Sequence, residues 1–215
     1  IGDSFAHGAM VENGHDVASV LRAKGYNAIT LGMGGNGPLN ELASLVEYGI
    51  NFKPKNIIWL YYNNDLKDLV RELQNPILKK YLFKDNFRQN LILKQKEIDK
   101  ILKKFHNNQI NQALKYGEKQ YLLSGSKKIF TKDNIKKMIT IYEIRKILHI
   151  DQSSFTKVNK ITDYTKKSFK EIFLKACKIS DKNNINFIFV NIPSFEFLSK
   201  KTYQHKFVED FVKKF

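Results

Sequence analysis

Three short stretches of this chain carry residue types that can act together on an acyl group. Ser4, in Gly2-Asp3-Ser4-Phe5, offers a hydroxyl. Gly35, in Gly32-Met33-Gly34-Gly35-Asn36-Gly37, offers a backbone N–H that a ligand can approach closely. Asn64, in Asn63-Asn64-Asp65, offers a neutral carboxamide with two N–H donors. A serine in the turn entering a helix sits among outward-pointing backbone N–H groups, which receive negative charge. The Ser4 N–H, the Gly35 N–H and the Asn64 side chain together match what the oxyanion of an acyl-transfer intermediate requires. Each stretch also has a plainer use: Asp3 or Ser4 as a helix cap, the glycines as a turn, and Asn64-Asp65 as the cap of the helix beginning near Leu66.

For these loops to meet, strands must deliver them to one edge of a sheet. Ile1 reads as the stub of a first strand, followed by a helix with Val17, Val20 and Leu21 on one side and Gly25 at its end. Residues 27–31 (Asn-Ala-Ile-Thr-Leu) read as a second strand, closed by the glycine turn. The next helix starts at Pro38, carries Leu39, Leu42, Leu45 and Val46 on its apolar face, and stops near Gly49. Residues 56–62 form a continuous apolar run bounded by Pro54 and by Asn63-Asn64-Asp65, the pattern of a buried central strand. Short strands alternating with helices predict an α/β fold with a parallel sheet. The C-terminal edge of such a sheet is where sites form.

From about residue 66 to 184 the pattern changes to lysine-rich helical stretches. One face holds Leu91, Ile98, Leu102 and Phe105, another Ile135, Ile139, Tyr142 and Ile147, and a third Phe169, Ile172, Phe173 and Ala176. Between the first two, residues 116–128 contain Gly117, Ser124, Gly125 and Ser126 and read as an exposed loop. Residues 185–190 resume the strand pattern, and 199–215 read as a surface helix with Phe207, Phe211 and Phe215 on its apolar side. The expectation is one α/β domain over 1–215 whose crossover is enlarged by a helical insertion over 84–184.

Taken together, the three motifs resemble the SGNH/GDSL hydrolase family. Gly2-Asp3-Ser4-Phe5 looks like its first block, Gly32-Met33-Gly34-Gly35 like its glycine block, and Asn63-Asn64-Asp65 like its Gly-x-Asn-Asp block, in the family's order. The resemblance covers residues 1–75 and, more weakly, 185–193. It implies a three-layer α/β/α fold of flavodoxin-like type, with Ser4 as nucleophile and N–H donor and Gly35 and Asn64 as the other two donors. It further implies esters, acyl or O-acetyl, on carbohydrate or lipid as substrates, cleaved through an acyl-enzyme or passed to a sugar hydroxyl by O-acyl transfer. No cofactor and no metal belong to that chemistry, and such proteins are often exported or membrane-anchored, here through a segment preceding Ile1.

Two positions depart in minor ways: Phe5 stands where the family commonly has Leu, and Asn63 opens the third block. The larger departure is the family's Asp-x-x-His block, whose His is the base that makes a serine hydroxyl nucleophilic. Three positions before His7, His15, His106, His149 and His205 stand Ser4, Glu12, Lys103, Lys146 and Thr202, so the block is absent. Glu12-x-x-His15 is the nearest approximation, but it is expected in the helix entered by Ser4 rather than in the loop after the last strand. The sequence opens on Ile and stops within a helical pattern, so the block is expected beyond Phe215. The alternative of another class is a non-catalytic binding protein on the same scaffold.

Charge and composition narrow the partners. The 215 residues carry a formal net charge of +16, and 42% are apolar, enough for a full core. Residues 1–83 hold 8 basic and 8 acidic side chains, leaving 29 basic and 13 acidic in 84–215. Only Arg22, Arg71, Arg88 and Arg145 are guanidinium groups, the type that phosphate and base edges favour, and a Lys-Ile-Asn bias is what an AT-rich coding sequence yields. This argues against nucleic acid and leaves an anionic membrane surface open, since lysine serves there. Cys177 is the single cysteine, and no Cys/His cluster has zinc-ligand spacing.

Overall fold

The structure is a computed structural model that describes residues 1–8, 10–124, 161–193 and 206–215. The chain divides into two compact units, Ile1–Asn90 with Val158–Phe215, and Leu91–Lys157. In the first unit the elements are α1 (Ser4–His7), α2 (Val17–Ala23), α3 (Pro38–Glu47), β1 (Asn56–Tyr62), α4 (Asp65–Glu72) and α5 (Pro76–Phe83). The second unit contributes α6 (Gln95–Ser124); back in the first are α7 (Asp163–Lys182), β2 (Asn186–Ile192) and α8 (Lys206–Val212). The fold is mixed α/β around a parallel sheet. β1 and β2 pair in register from Asn56↔Asn186 to Tyr62↔Ile192, and Gly2 bridges to Leu60 in the same parallel sense.

One face of the pair is aromatic and buried. Trp59 and Tyr61 are fully buried and meet the rings of Phe187 and Phe189 on β2. Phe169 and Phe173 of α7 close over them, with Phe169, Ile172, Phe173 and Ala176 at most 2% exposed. α7 is therefore core to the first unit; the second unit lies inside the 84–184 span marked by composition. α3 buries Leu39, Leu42, Leu45 and Val46, the stripe its spacing predicts. In α8, Val208 is fully buried and Phe207 and Phe211 pack on the core, so this helix is not a free surface element.

Several expectations need correction. Residues 27–31 form no strand. The contacts of this stretch with the neighbouring segment are not a ladder: Met33 N–H donates to Gly2 O, and Thr30 uses its side chain, Oγ1 donating to Ala6 O. In α2 the buried residue is Ala18, while Val17 and Val20 are exposed. Residues 117–124, expected in a loop, continue α6; a single Gly117 costs about 1 kcal/mol, and the good helix formers around it offset that. The expected helix at 135–147 lies outside the described residues, as do 125–128, His149 and 199–205 with His205.

Candidate active site

Gly2 bridges to Leu60 of β1 in the parallel sense, so Ser4, two residues on, and Asn64, just after β1, lie at the same C-terminal edge of the sheet. The two strand ends are tied by the rings of Phe5 and Tyr62, whose centroids lie 4.4 Å apart. Asp3 is the cap of α1: its Oδ1 accepts from Phe5 N at 2.9 Å, which makes Ser4 the first helical residue rather than the cap. Ser4 Oγ donates to Asp3 Oδ2 at 3.2 Å, and no described histidine is hydrogen-bonded to it. The Ser4 N–H has no acceptor among the described residues.

The glycine turn lies directly beside Ser4. A Cβ placed on Gly34 would sit 3.6 Å from Ser4 Cβ. Gly35 has φ +87°, a left-handed conformation that glycine adopts without penalty, and its N–H also lacks an acceptor among the described residues. Gly37 is where the turn meets α4. A Cβ there would fall 2.8 Å from Leu69 N and 2.9 Å from Asp68 Cβ, so only glycine fits.

Gly37 is also the N-cap of α3 and has no side chain with which to cap it. The task falls to Glu72 at the end of α4. Its Oε1 accepts from Gly37 N at 2.7 Å and Asn40 N at 3.3 Å, and its Oε2 accepts from Leu39 N at 3.0 Å. These N–H groups are the orphan donors of a helix start. Burial pushes the Glu72 carboxyl up to about 6, against the downward pull of the three amides.

Asn64 precedes α4, yet its side chain makes no capping bond to the helix backbone. Its Nδ2 donates instead to Asp68 Oδ2 at 2.9 Å, one turn along α4, and Asp68 is also paired with Arg71. A carboxylate only accepts, so this bond fixes which end of the carboxamide is the donor. One Asn64 N–H is left without a partner among the described residues, and its buried Oδ1 has none either. Asp65 is fully buried, accepts from Tyr62 N at 2.9 Å through Oδ2, and leaves Oδ1 unpartnered. Burial holds Asp65 well above the ordinary carboxyl range, with Asp3 and Glu72 adding repulsion.

The structure thus brings Ser4 and the glycine turn into contact and puts Asn64 at the same sheet edge. Sequence reading missed Asp68 and Glu72. A signal was present: acidic residues at 65, 68 and 72 are interleaved with the buried Leu66, Leu69 and Leu73, which places carboxylates on the core side of an amphipathic helix. Glu12 and His15 form an exposed pair at 3.8 Å, as expected of solvated side chains. Cys177 is half-buried, and burial pushes its thiol up to about 11, which makes it a poor nucleophile. Among the described residues, no group of His, Cys, Asp and Glu could hold a metal ion. Compared with known proteins, the chain matches no family model, no curated protein and no solved structure.

Proposed function

We propose that the chain carries a serine ester-cleaving centre of SGNH type on a three-layer, flavodoxin-like α/β/α frame. Ser4 Oγ attacks the carbonyl of an acyl or O-acetyl ester, and the alkoxide leaves with a proton. The acyl-enzyme is then resolved by water or, in the O-acyltransferase form of the same machinery, by a sugar hydroxyl. Carbohydrate and lipid esters are the substrate classes. The observation that carries the reading is the set of unengaged donors: Ser4 N–H, Gly35 N–H and one N–H of Asn64 lack acceptors among the described residues, all beside one sheet edge. A base for Ser4 Oγ is also required, and Asp3 alone is bonded to that oxygen among the described residues.

The test is acetyl-ester hydrolysis by the product of the full open reading frame, wild type against Ser4→Ala. Loss of about 10³-fold or more in kcat is expected. Equal turnover by the variant overturns the reading.

A second reading, a non-catalytic binding protein on this scaffold, is favoured by one feature of the second unit. On α6, Ile101, Leu102 and Phe105 are exposed on one face, with Lys96, Lys100, Lys103 and Lys104 on the other. A helix with an apolar face and a basic face suits an anionic bilayer surface. Co-sedimentation with phosphatidylglycerol vesicles but not phosphatidylcholine vesicles, lost in Phe105→Glu, is the expected result. Equal binding to both vesicles, or to neither, removes this reading.

A further inference from the structure

We propose that Asp68 and Glu72 are positioning residues: one face of α4 sets two of the three donors of the Ser4 site, Asp68 by holding Asn64 and Glu72 by holding the turn that carries Gly35. This inference rests on the ester-cleaving reading for its purpose and on independent geometry for its content. Asn64, Asp68 and Glu72 are spaced by four residues, so they lie in one row along the helix. Asp68 takes the Asn64 amide at 2.9 Å. Glu72 takes three backbone amides from a segment more than thirty positions away, Gly37, Leu39 and Asn40. Both carboxylates are 6% exposed.

The row is anchored because its helix is anchored. Leu66 and Leu69 are fully buried and Leu73 nearly so, which denies α4 any freedom to roll. Gly37 rests on Leu69 and Asp68 so closely that a methyl group could not be inserted. The turn is therefore fixed at one end on α4 and at the other by Gly34 against Ser4, with Gly35 strung between. Three N–H donors facing one oxygen pair select a carboxylate, which accepts at both oxygens and donates at neither. Neither Asp68 nor Glu72 touches the reacting atoms in this scheme; each acts through the donor it holds.

The experiment is amide NMR on this chain in wild type, Glu72→Gln and Asp68→Asn. In Glu72→Gln the Gly35, Gly37 and Leu39 amides should shift, and Gly37 and Leu39, the amides Glu72 holds, should exchange with solvent about tenfold faster, while the Asn64 side-chain resonances stay in place. In Asp68→Asn the Asn64 side-chain resonances should move and Gly35 should not. Wild-type exchange of Gly37 and Leu39 or an unshifted Gly35 amide in Glu72→Gln, or unmoved Asn64 resonances in Asp68→Asn, overturns the proposal. If a variant does not fold, the unaltered chain decides: Gly37 and Leu39 amides as protected as Leu69 support the clamp, and unprotected ones overturn it. In hydrolysis by the full-length protein, Glu72→Gln should lower kcat about tenfold or more at unchanged KM, whereas a raised KM at unchanged kcat contradicts the proposal. The NMR signals do not depend on turnover, so failure of the ester-cleaving reading and failure of this coupling are separate results.

Discussion

The indole N–H of Trp59 donates to the Glu41 carboxylate, joining the centre of β1 to the buried face of α3. Trp59 is fully buried and Glu41 is 1% exposed, so the bond lies in the core and its second carboxylate oxygen has no partner among the described residues. Burial holds the Glu41 carboxyl well above its ordinary range, and Asp65 and Glu72 push it further. Beneath the site, three acidic groups on two helices crowd one another away from water.

Stability should consequently rise as pH falls from neutral toward about 5. Glu41, Asp65 and Glu72 are all held above their ordinary values, so the native state keeps protons that the unfolded chain has released. Stability is lost as pH rises through the native values. For Glu72 the window runs from 4.5 to about 6, and that shift corresponds to about 2 kcal/mol. Asp16, held below 3.8 by the Ser19 hydroxyl and amide, has the opposite sign and acts only beneath that range. Urea unfolding of the chain at about pH 5 and about pH 7.5 checks this, with the higher midpoint expected at the lower pH. A higher midpoint at neutral pH would show that these carboxyls are solvated.

Gly37→Ala should destabilise the first unit by about 1–3 kcal/mol. Gly37 has φ −112°, which any residue adopts, so the cost is steric and comes from Leu69 N and Asp68 Cβ. Thermal unfolding of Gly37→Ala gives the comparison. A variant as stable as wild type would mean that the turn can lift off α4.

Tyr81→Phe should cost about 1–2 kcal/mol, because a buried carboxylate loses a donor. The Tyr81 hydroxyl donates to Glu47 Oε1 at 2.7 Å, both residues are at most 2% exposed, and Gln89 bonds to the same pair. This network ties α3 to α5 and to the segment following it. Denaturant midpoints of the single variant suffice to measure it, and a neutral result would show that water replaces the phenol.

Much of the fold was legible because apolar periodicity reports burial directly. Leu39, Leu42, Leu45 and Val46 on α3 and Ile57, Trp59, Leu60 and Tyr61 on β1 are buried as the pattern demands. The run 27–31 misled because an alternating stretch becomes a strand only if it hydrogen-bonds to a neighbouring strand, and tertiary pairing is not written locally. In the candidate site, the glycines and Asn64 were legible by their order and their places after the runs 27–31 and 56–62 rather than by their types, which are ordinary in turns. Asp68 and Glu72 were not read, since an acidic residue on a helix is ordinarily solvated. Their burial follows from what α4 packs against, which involves a segment thirty residues earlier in the chain.

The same limit applied to α7, whose Lys-rich sequence resembles that of α6 although their surroundings differ. Phe173 on α7 is 2% exposed and meets Phe187, Phe189, Phe211 and Phe215, whereas Phe105 on α6 is 58% exposed. Phe173→Ala should therefore cost about 3–5 kcal/mol through lost burial and the cavity left behind. Phe105→Ala should stay within about 0.5 kcal/mol of wild type. Both are read from denaturant unfolding of the chain, monitored by Trp59, which lies in the first unit against Phe187 and Phe189. If the two variants were equally destabilised, α7 would not be part of the core around β1 and β2. If only Phe173→Ala falls, the aromatic face of the sheet is what holds this unit together, independently of the lysines that dominate the composition around it.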